Sequence, residues 1–287
     1  MRITPSKRMS LGRSTIDGRK PRIPTALMTC SRVHPTRLVV VAVVAALLAG
    51  CGGKSNVAPP GTQPDRFLFD RGTSELMMER WVQSREYFQR IIDGYPQSPN
   101  RPDAKLGIGD SYLGENTAES LVYAANEFRE FLQFYPTHAR ADYAQYRMAM
   151  SHYQQMRAPE RDQTETRAAI REFEVFFDRY PASMLTTEVR TKWREAKDRL
   201  STASYQIGLY YYRVKWYPGA IDRFKEILRD DPGYSGRDGV YFFLAESLTR
   251  TDKKAEALPY LDRLVKEFDK SEHLADARVR LAELQAQ

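Results

Sequence analysis

Two cysteines, four histidines and 37 Asp/Glu carboxylates are the side chains that could do covalent, metal or acid–base chemistry in this 287-residue chain. Their spacing assembles little of it. His138, His152 and His273 stand singly, with no HExxH arrangement and no Cys/His cluster at metal-binding intervals. The nucleophile and phosphate-loop patterns GxSxG, GxxxxGKS/T and GxGxxG are missing; Gly107-Ile108-Gly109-Asp110 reads as helix interior. Carboxylates sit at helical salt-bridge spacing, as Glu172 and Asp178 do among Arg171 and Arg179, which suits solvated faces better than acid–base pairs. The chain therefore reads as a non-enzyme without a cofactor. One thiol stands apart by its position: Cys51 follows Leu48-Ala49-Gly50 at the end of the apolar run Leu38 to Ala49.

A basic flank (Arg32, Arg37), a short apolar segment and small residues before a cut make a secretory signal. The run is too short for a membrane helix, which needs roughly 20 apolar residues. With cysteine after the cut, the pattern resembles the lipobox of bacterial lipoproteins. The resemblance implies that the Cys51 thiol takes a diacylglyceryl group and becomes the new N-terminus, so that the rest of the chain is exported and lipid-tethered. Residues 1–50 are then the signal. Met28, ten residues before Leu38, would give a compact signal and is the expected true start. Residues 51–64 are a Gly/Pro-rich linker.

Removing the signal changes the charge. The full chain has formal net charge +7, but nine of its 44 Lys/Arg and only one of its 37 Asp/Glu lie in residues 1–50. The remainder is close to neutral, which gives no basic patch for nucleic acid. Cys30 leaves with the signal, so no thiol is left for a disulfide or metal.

Residues 65–287 read as one all-α repeat domain. Tyr95-Pro96, Tyr135-Pro136, Tyr180-Pro181 and Asp231-Pro232 punctuate it, and Phe268-Asp269 has the same surroundings without proline. Before each stands a small residue, a large one four later and another three later: Ser84/Phe88/Ile91, Ala124/Phe128/Phe131, Ala169/Phe173/Phe176, Ala220/Phe224/Ile227 and Ala257/Leu261/Leu264. Such a set lies on one helix face, and the following proline ends the helix. Upstream helices carry Gly109/Tyr112, Gly208/Tyr211 and Ala245/Leu248. The spacings match the tetratricopeptide pattern, with Glu75 where an aromatic is usual. The expected fold is a tetratricopeptide superhelix of about five helix pairs with a groove for extended or helical peptides. The prolines stand 40, 45 and 51 residues apart, beyond the usual period of about 34. The surplus places one insertion at Arg157 to Gln163. A second, Thr186 to Ser204, is expected to lengthen the first helix of repeat four into a rod that braces the two ends of the array.

First-helix positions expected to face the groove are Phe69, Thr73, Tyr112, Tyr143, Tyr146, Arg147, Tyr205, Tyr212, Arg213 and Phe242; aromatics with a few arginines suit peptide recognition. Tyr112 and Tyr211 also occupy the motif's own packing position. Three stretches then carry a family likeness: Phe131 to Tyr146, Arg161 to Ser183 and Lys197 to Tyr212, with a Pro136-Thr137-His138 turn and an Arg161-Asp162-Gln163 insertion. With the lipobox, they make the chain resemble the BamD family, lipoproteins of the outer-membrane β-barrel assembly (BAM) machinery. The resemblance implies a scaffold lipid-anchored on the periplasmic face of the outer membrane. It would bind unfolded outer-membrane proteins and the POTRA domains of a BamA-like barrel protein, alongside other BAM lipoproteins, with no nucleic acid. It assigns Phe69, Thr73, Tyr112, Tyr146 and Arg147 to the substrate side and Tyr212, Arg213 and Arg223 to partner docking. The last repeat departs from the pattern in lacking the closing proline. Other exported repeat proteins, Tol–Pal coordinator-like or pilus-assembly lipoproteins, are the alternatives in the same class. A peptidoglycan-acting enzyme is the alternative from another, and it lacks the carboxylate or Ser/Lys constellation it would need.

Overall fold

The computed structural model describes residues 61–286. The signal, Met28, Cys51 and most of the linker lie outside the described residues. Within them the chain forms eleven helices and no strand. These are α1 (Pro64–Met77), α2 (Trp81–Gly94), α3 (Arg101–Glu115), α4 (Ala118–Phe134), α5 (Ala141–Tyr153), α6 (Thr164–Arg179), α7 (Thr186–Arg213), α8 (Tyr217–Asp230), α9 (Arg237–Arg250), α10 (Lys254–Glu267) and α11 (Leu274–Gln285). They pair into five antiparallel hairpins from α1/α2 to α9/α10, and α11 covers the last. Each helix packs on the next in sequence. The first helices of neighbouring hairpins also meet (α1 with α3, α3 with α5, α5 with α7, α7 with α9), whereas the second helices do not meet in this way. Crowding on one side only bends the stack towards the first helices, which therefore line its inner face.

The expected triplets are the core. Phe88, Phe128, Phe131, Phe173, Phe176 and Phe224 are the largest fully buried rings, each from a second helix. Phe88, Phe128 and Phe224 fit because the opposing first helix carries glycine. A Cβ on Gly109 would stand 2.7 Å from the Phe128 ring, and one on Gly208 2.5 Å from Phe224. Real Cβ atoms do not approach so closely, so glycine lets the helices close up around a whole ring.

All five second helices end alike. Tyr95, Tyr135, Tyr180, Asp231 and Phe268 leave the helix at φ between −142° and −128°, each amide donating to the carbonyl four residues back. Proline after the first four keeps that residue out of the helical region. The fifth takes the same form without one. A recurrent side-chain bond helps there: the Ser98, Ser183 and Ser271 hydroxyls each accept from the amide two residues on, and each donates at 2.6 Å to an aspartate of the preceding first helix, Asp65, Asp142 or Asp238.

The fourth turn is built differently. Asp231 replaces the tyrosine, is buried, and accepts from Arg194 (2.8 Å) and Ser201 (2.6 Å) of α7. Burial pulls its carboxyl upward, but Arg194 and Ser201 outweigh this and hold it below the ordinary value. Asp231→Ala is expected to cost about 2–3 kcal/mol, under the range for a fully buried pair because Arg194 keeps 28% of its side chain exposed. A carboxyl depressed on folding stabilises above its unfolded pKa, near 3.9, and loses that contribution as pH falls through its lower folded value. Urea midpoints of the wild type and the variant should differ at pH 7 and draw together as pH falls below about 3.9.

α7 is the long rod expected in repeat four. Its 28 residues run unbroken through Thr186 to Ser204 and on to Arg213. Its first half packs on α6 and its second on α8. The polar insertion at Arg157 to Gln163 is the loop between α5 and α6.

Candidate functional site

On the inner face, α3, α5 and α7 join through a polar cluster. The Tyr143 hydroxyl donates to both oxygens of Asp110 at 2.9 Å, and Arg147 Nε donates to Asp110 Oδ1 at 2.8 Å. Arg140 Nη1 reaches Asp103 at 2.9 Å while its guanidinium lies 4.6 Å from the Tyr143 ring centre. One turn away, the Tyr146 hydroxyl donates to Glu188 at 2.6 Å. Burial, then the Asp110 charge, pushes Tyr143 up to about 12. Burial and the Glu188 bond raise Tyr146 as well. Both phenols are thus fixed as neutral donors. Arg147 stays charged, since Asp110 more than offsets its burial. No group of His, Cys, Asp and Glu among the described residues could hold a metal ion.

The expected substrate-side residues do not converge on one spot. Phe69 is half-buried, its ring 5.8 Å from Phe88, and Thr73 donates back to the Phe69 carbonyl at 2.9 Å. Tyr146 is buried, with 6% exposed, and lies 6.5 Å from Phe173. Arg147 is half-buried in the Asp110 pair, so it secures the α3–α5 contact as well as facing the groove; charge reversal there would act on both. Tyr112 points away from this face. Arg85 of α2 sits 4.2 Å over its ring and Tyr123 of α4 lies 5.3 Å from it, so it fills the outer groove between the second helices. That is the packing position the repeat motif gives it.

The partner-side residues also divide. Tyr212 stacks edge-on against Phe243 (5.2 Å) and Tyr217 (5.8 Å), towards α9. Arg213 is exposed at the end of α7. Arg223, on α8, pairs with Glu226 at 2.5 Å and lines a cleft on the other flank of α7, towards α6. Phe242 stacks flat on His273 at 4.8 Å, joining α9 to the start of α11.

Two features escape a reading of apolar periodicity. Glu75, where an aromatic is usual, is buried and balanced by Arg80 (3.1 Å) and Arg71 (3.7 Å). The Ser–Asp tethers between repeats are the other. Their signal is present in the sequence: an aspartate early in a first helix and a serine three residues beyond the closing Tyr or Phe of the same hairpin.

A family model described as "YfiO: Outer membrane lipoprotein" matches residues 62–247, from before α1 to within α9. The chain belongs to the YfiO family. Its YfiO portion thus contains the whole polar cluster and the long α7 helix, and stops short of α10 and α11. Curated relatives agree along most of the domain. The chain is 26% identical over 227 residues to "Outer membrane protein assembly factor BamD" of Caulobacter vibrioides, covering 78% of this chain and 73% of that protein. It is 26% identical over 195 residues to the BamD of Rickettsia prowazekii, covering 67% and 74%. Among solved structures, the TPR2AB domain of yeast Sti1 in its pHSP90 complex is similar at TM-score 0.45 and 11% identity, over 77% of this chain and 83% of that one.

Proposed function

We propose that this YfiO-family protein is a non-catalytic assembly factor of the outer membrane, tethered by lipid on Cys51 at the periplasmic face. Its inner face would receive unfolded outer-membrane proteins and its far hairpins would dock on the POTRA domains of a BamA-like barrel protein, with other BAM lipoproteins as further partners. The observation that carries the reading is the alignment of most of the helical array with proteins named as outer membrane protein assembly factors. The geometry is compatible with it: Asp103, Asp110, Arg140, Tyr143, Tyr146, Arg147 and Glu188 hold repeats together along the inner face, which suits a preformed surface.

In this reading an extended client strand lies along the first helices, meeting the accessible parts of Phe69, Thr73 and Arg147, while Tyr146 shapes the wall; Tyr112, turned to the outer side, does not reach it. Contacts would be weak singly. The lipid tether raises their effective concentration at the membrane. Tyr212, Arg213 and Arg223 would serve docking on more than one flank, since they face different sides of α7. No helix among the described residues is long and apolar enough to cross a membrane.

Mild detergent extraction followed by co-purification tests this. Recovery of a POTRA-bearing barrel protein is the expected result. Recovery of Tol–Pal or pilus components alone would reject the assembly role.

A further inference from the structure

The first three turns between hairpins, residues 95–100, 135–139 and 180–187, contain no Lys, Arg, Asp or Glu. What they and the adjoining helix end expose is apolar or neutral. Phe134 is 66% and Met184 99% exposed, beside the exposed Pro96, Pro136 and Pro181. The later turns differ. The fourth follows exposed Arg229 and Asp230, and the fifth exposes Asp269, Lys270 and Glu272.

The fold sets the three uncharged turns side by side. Ser98 bonds to Asp65 at the start of α1, Arg140 to Asp103 at the start of α3, and Ser183 to Asp142 at the start of α5. Helices α2 to α6 have 13 to 17 residues each, so their ends stay level along one edge. The fourth turn is set back, because Asp231 meets α7 at Arg194 and Ser201, about 12 and 22 Å beyond that helix's start. The level edge also holds the start of α1, where the linker from Cys51 arrives. The opposite edge lies the length of a helix away, about 21 Å for α1. It exposes large apolar side chains as well, Met77, Met78 and Trp216, but among the exposed charges of Glu79, Arg80 and Lys215.

We propose that the edge formed by these three turns rests on the lipid surface, with Phe134 and Met184 entering the boundary between headgroups and acyl chains. The proposal takes the lipid on Cys51 from the assembly reading and adds which edge meets the bilayer. The anchor joins the array at this edge, so these turns are the part of the domain held nearest the membrane. Their tips can also leave water without carrying a charge out of it, which is the costly step in entering a bilayer. Tyr95, Tyr135 and Tyr180 are half-buried at the same tips, at the headgroup level that tyrosine favours. The nearest exposed charges, Asp93, Asp178 and Arg179, lie in the helix ends behind the tips and are of both signs. The contact is therefore apolar, and too weak to hold the protein without the lipid. The tether makes it effective by keeping the edge at high local concentration next to the bilayer.

The test uses the mature lipidated protein in phosphatidylcholine vesicles, part of whose acyl chains are brominated. Cys30 precedes the cut and Cys51 carries the lipid, so an introduced cysteine is the single free thiol for an environment-sensitive dye. Labels on Phe134→Cys and Met184→Cys should emit at shorter wavelength and be quenched by the bromines about two-fold or more above a label on Met77→Cys at the opposite edge. All three side chains are exposed, so the substitutions leave the fold in place. No quenching at 134 and 184, or quenching at 77 that equals or exceeds it, would overturn the proposal. In a second measurement, Phe134→Asp and Met184→Asp together should return a label on Thr137→Cys to its aqueous emission without moving the melting temperature. A Thr137→Cys label still quenched in that variant would also overturn it. Mass spectrometry of the N-terminal peptide separates the two readings. Lipid on Cys51 with unquenched labels rejects this edge and leaves the anchor standing, whereas a bare Cys51 in the membrane-extracted protein rejects the anchor and this proposal with it.

Discussion

Phe128→Ala is expected to be the most damaging single truncation in the array, costing about 3–5 kcal/mol. The ring is fully buried in α4, faces the backbone of Gly109 on α3, and belongs to the cluster that also holds Leu106, Leu113, Phe131, Ala144 and Met148 from α3, α4 and α5. Its removal empties a site shared by two hairpins. Because the surrounding helices are already in close contact, they can collapse only partly into the space. A repeat array transmits such a loss to its neighbours, since no hairpin buries its apolar face alone. Urea denaturation followed by circular dichroism should show a clear drop in midpoint. A shift equivalent to less than about 1 kcal/mol would mean that the ring is not wedged between repeats as the structure has it. Gly109→Ala approaches the same contact from the other side: the added methyl meets the ring, and the expected loss is smaller, about 1–3 kcal/mol, because the backbone can yield a little.

The second large effect concerns location. If Cys51 carries the lipid, Cys51→Ala is expected to move the protein from the membrane fraction to the soluble periplasmic fraction while its helical domain stays folded. Each buried methylene of an acyl chain contributes about 0.8 kcal/mol, and one chain alone holds only marginally, so the two or three chains of a lipoprotein make the difference between anchored and free. Cys51 and the described domain are separated by the linker, so the thermal transition should not change. Pelleting of the variant with membranes, once uncleaved precursor has been excluded by mass spectrometry, would argue against the lipid.

What is local and repeated can be read from the residues in chain order. Five triplets such as Ala124/Phe128/Phe131 name the core, since residues at intervals of four and three share a face whatever lies opposite. The Tyr-Pro dipeptides place the helix ends, because proline acts on its immediate neighbour. The uninterrupted polar run Thr186 to Ser204 announced the long helix, having neither proline nor glycine to break it. The family likeness, too, was legible in three short stretches and a turn.

Tertiary structure alone decided which neighbour each face meets. Periodicity puts Tyr112, Tyr146 and Arg147 on first helices, but it cannot say that Tyr112 turns to Arg85 on the outer side, that Tyr146 is closed in by Phe173 and Glu188, or that Arg147 is matched to Asp110. Those partners lie 27 to 42 residues away in the chain, and their arrival depends on how far each hairpin is rotated against the last. The same holds for α7. Its apolar residues recur along the helix at regular spacing, yet only the endpoint of α6 in space determines that Val189 is covered and Tyr210 is left to solvent.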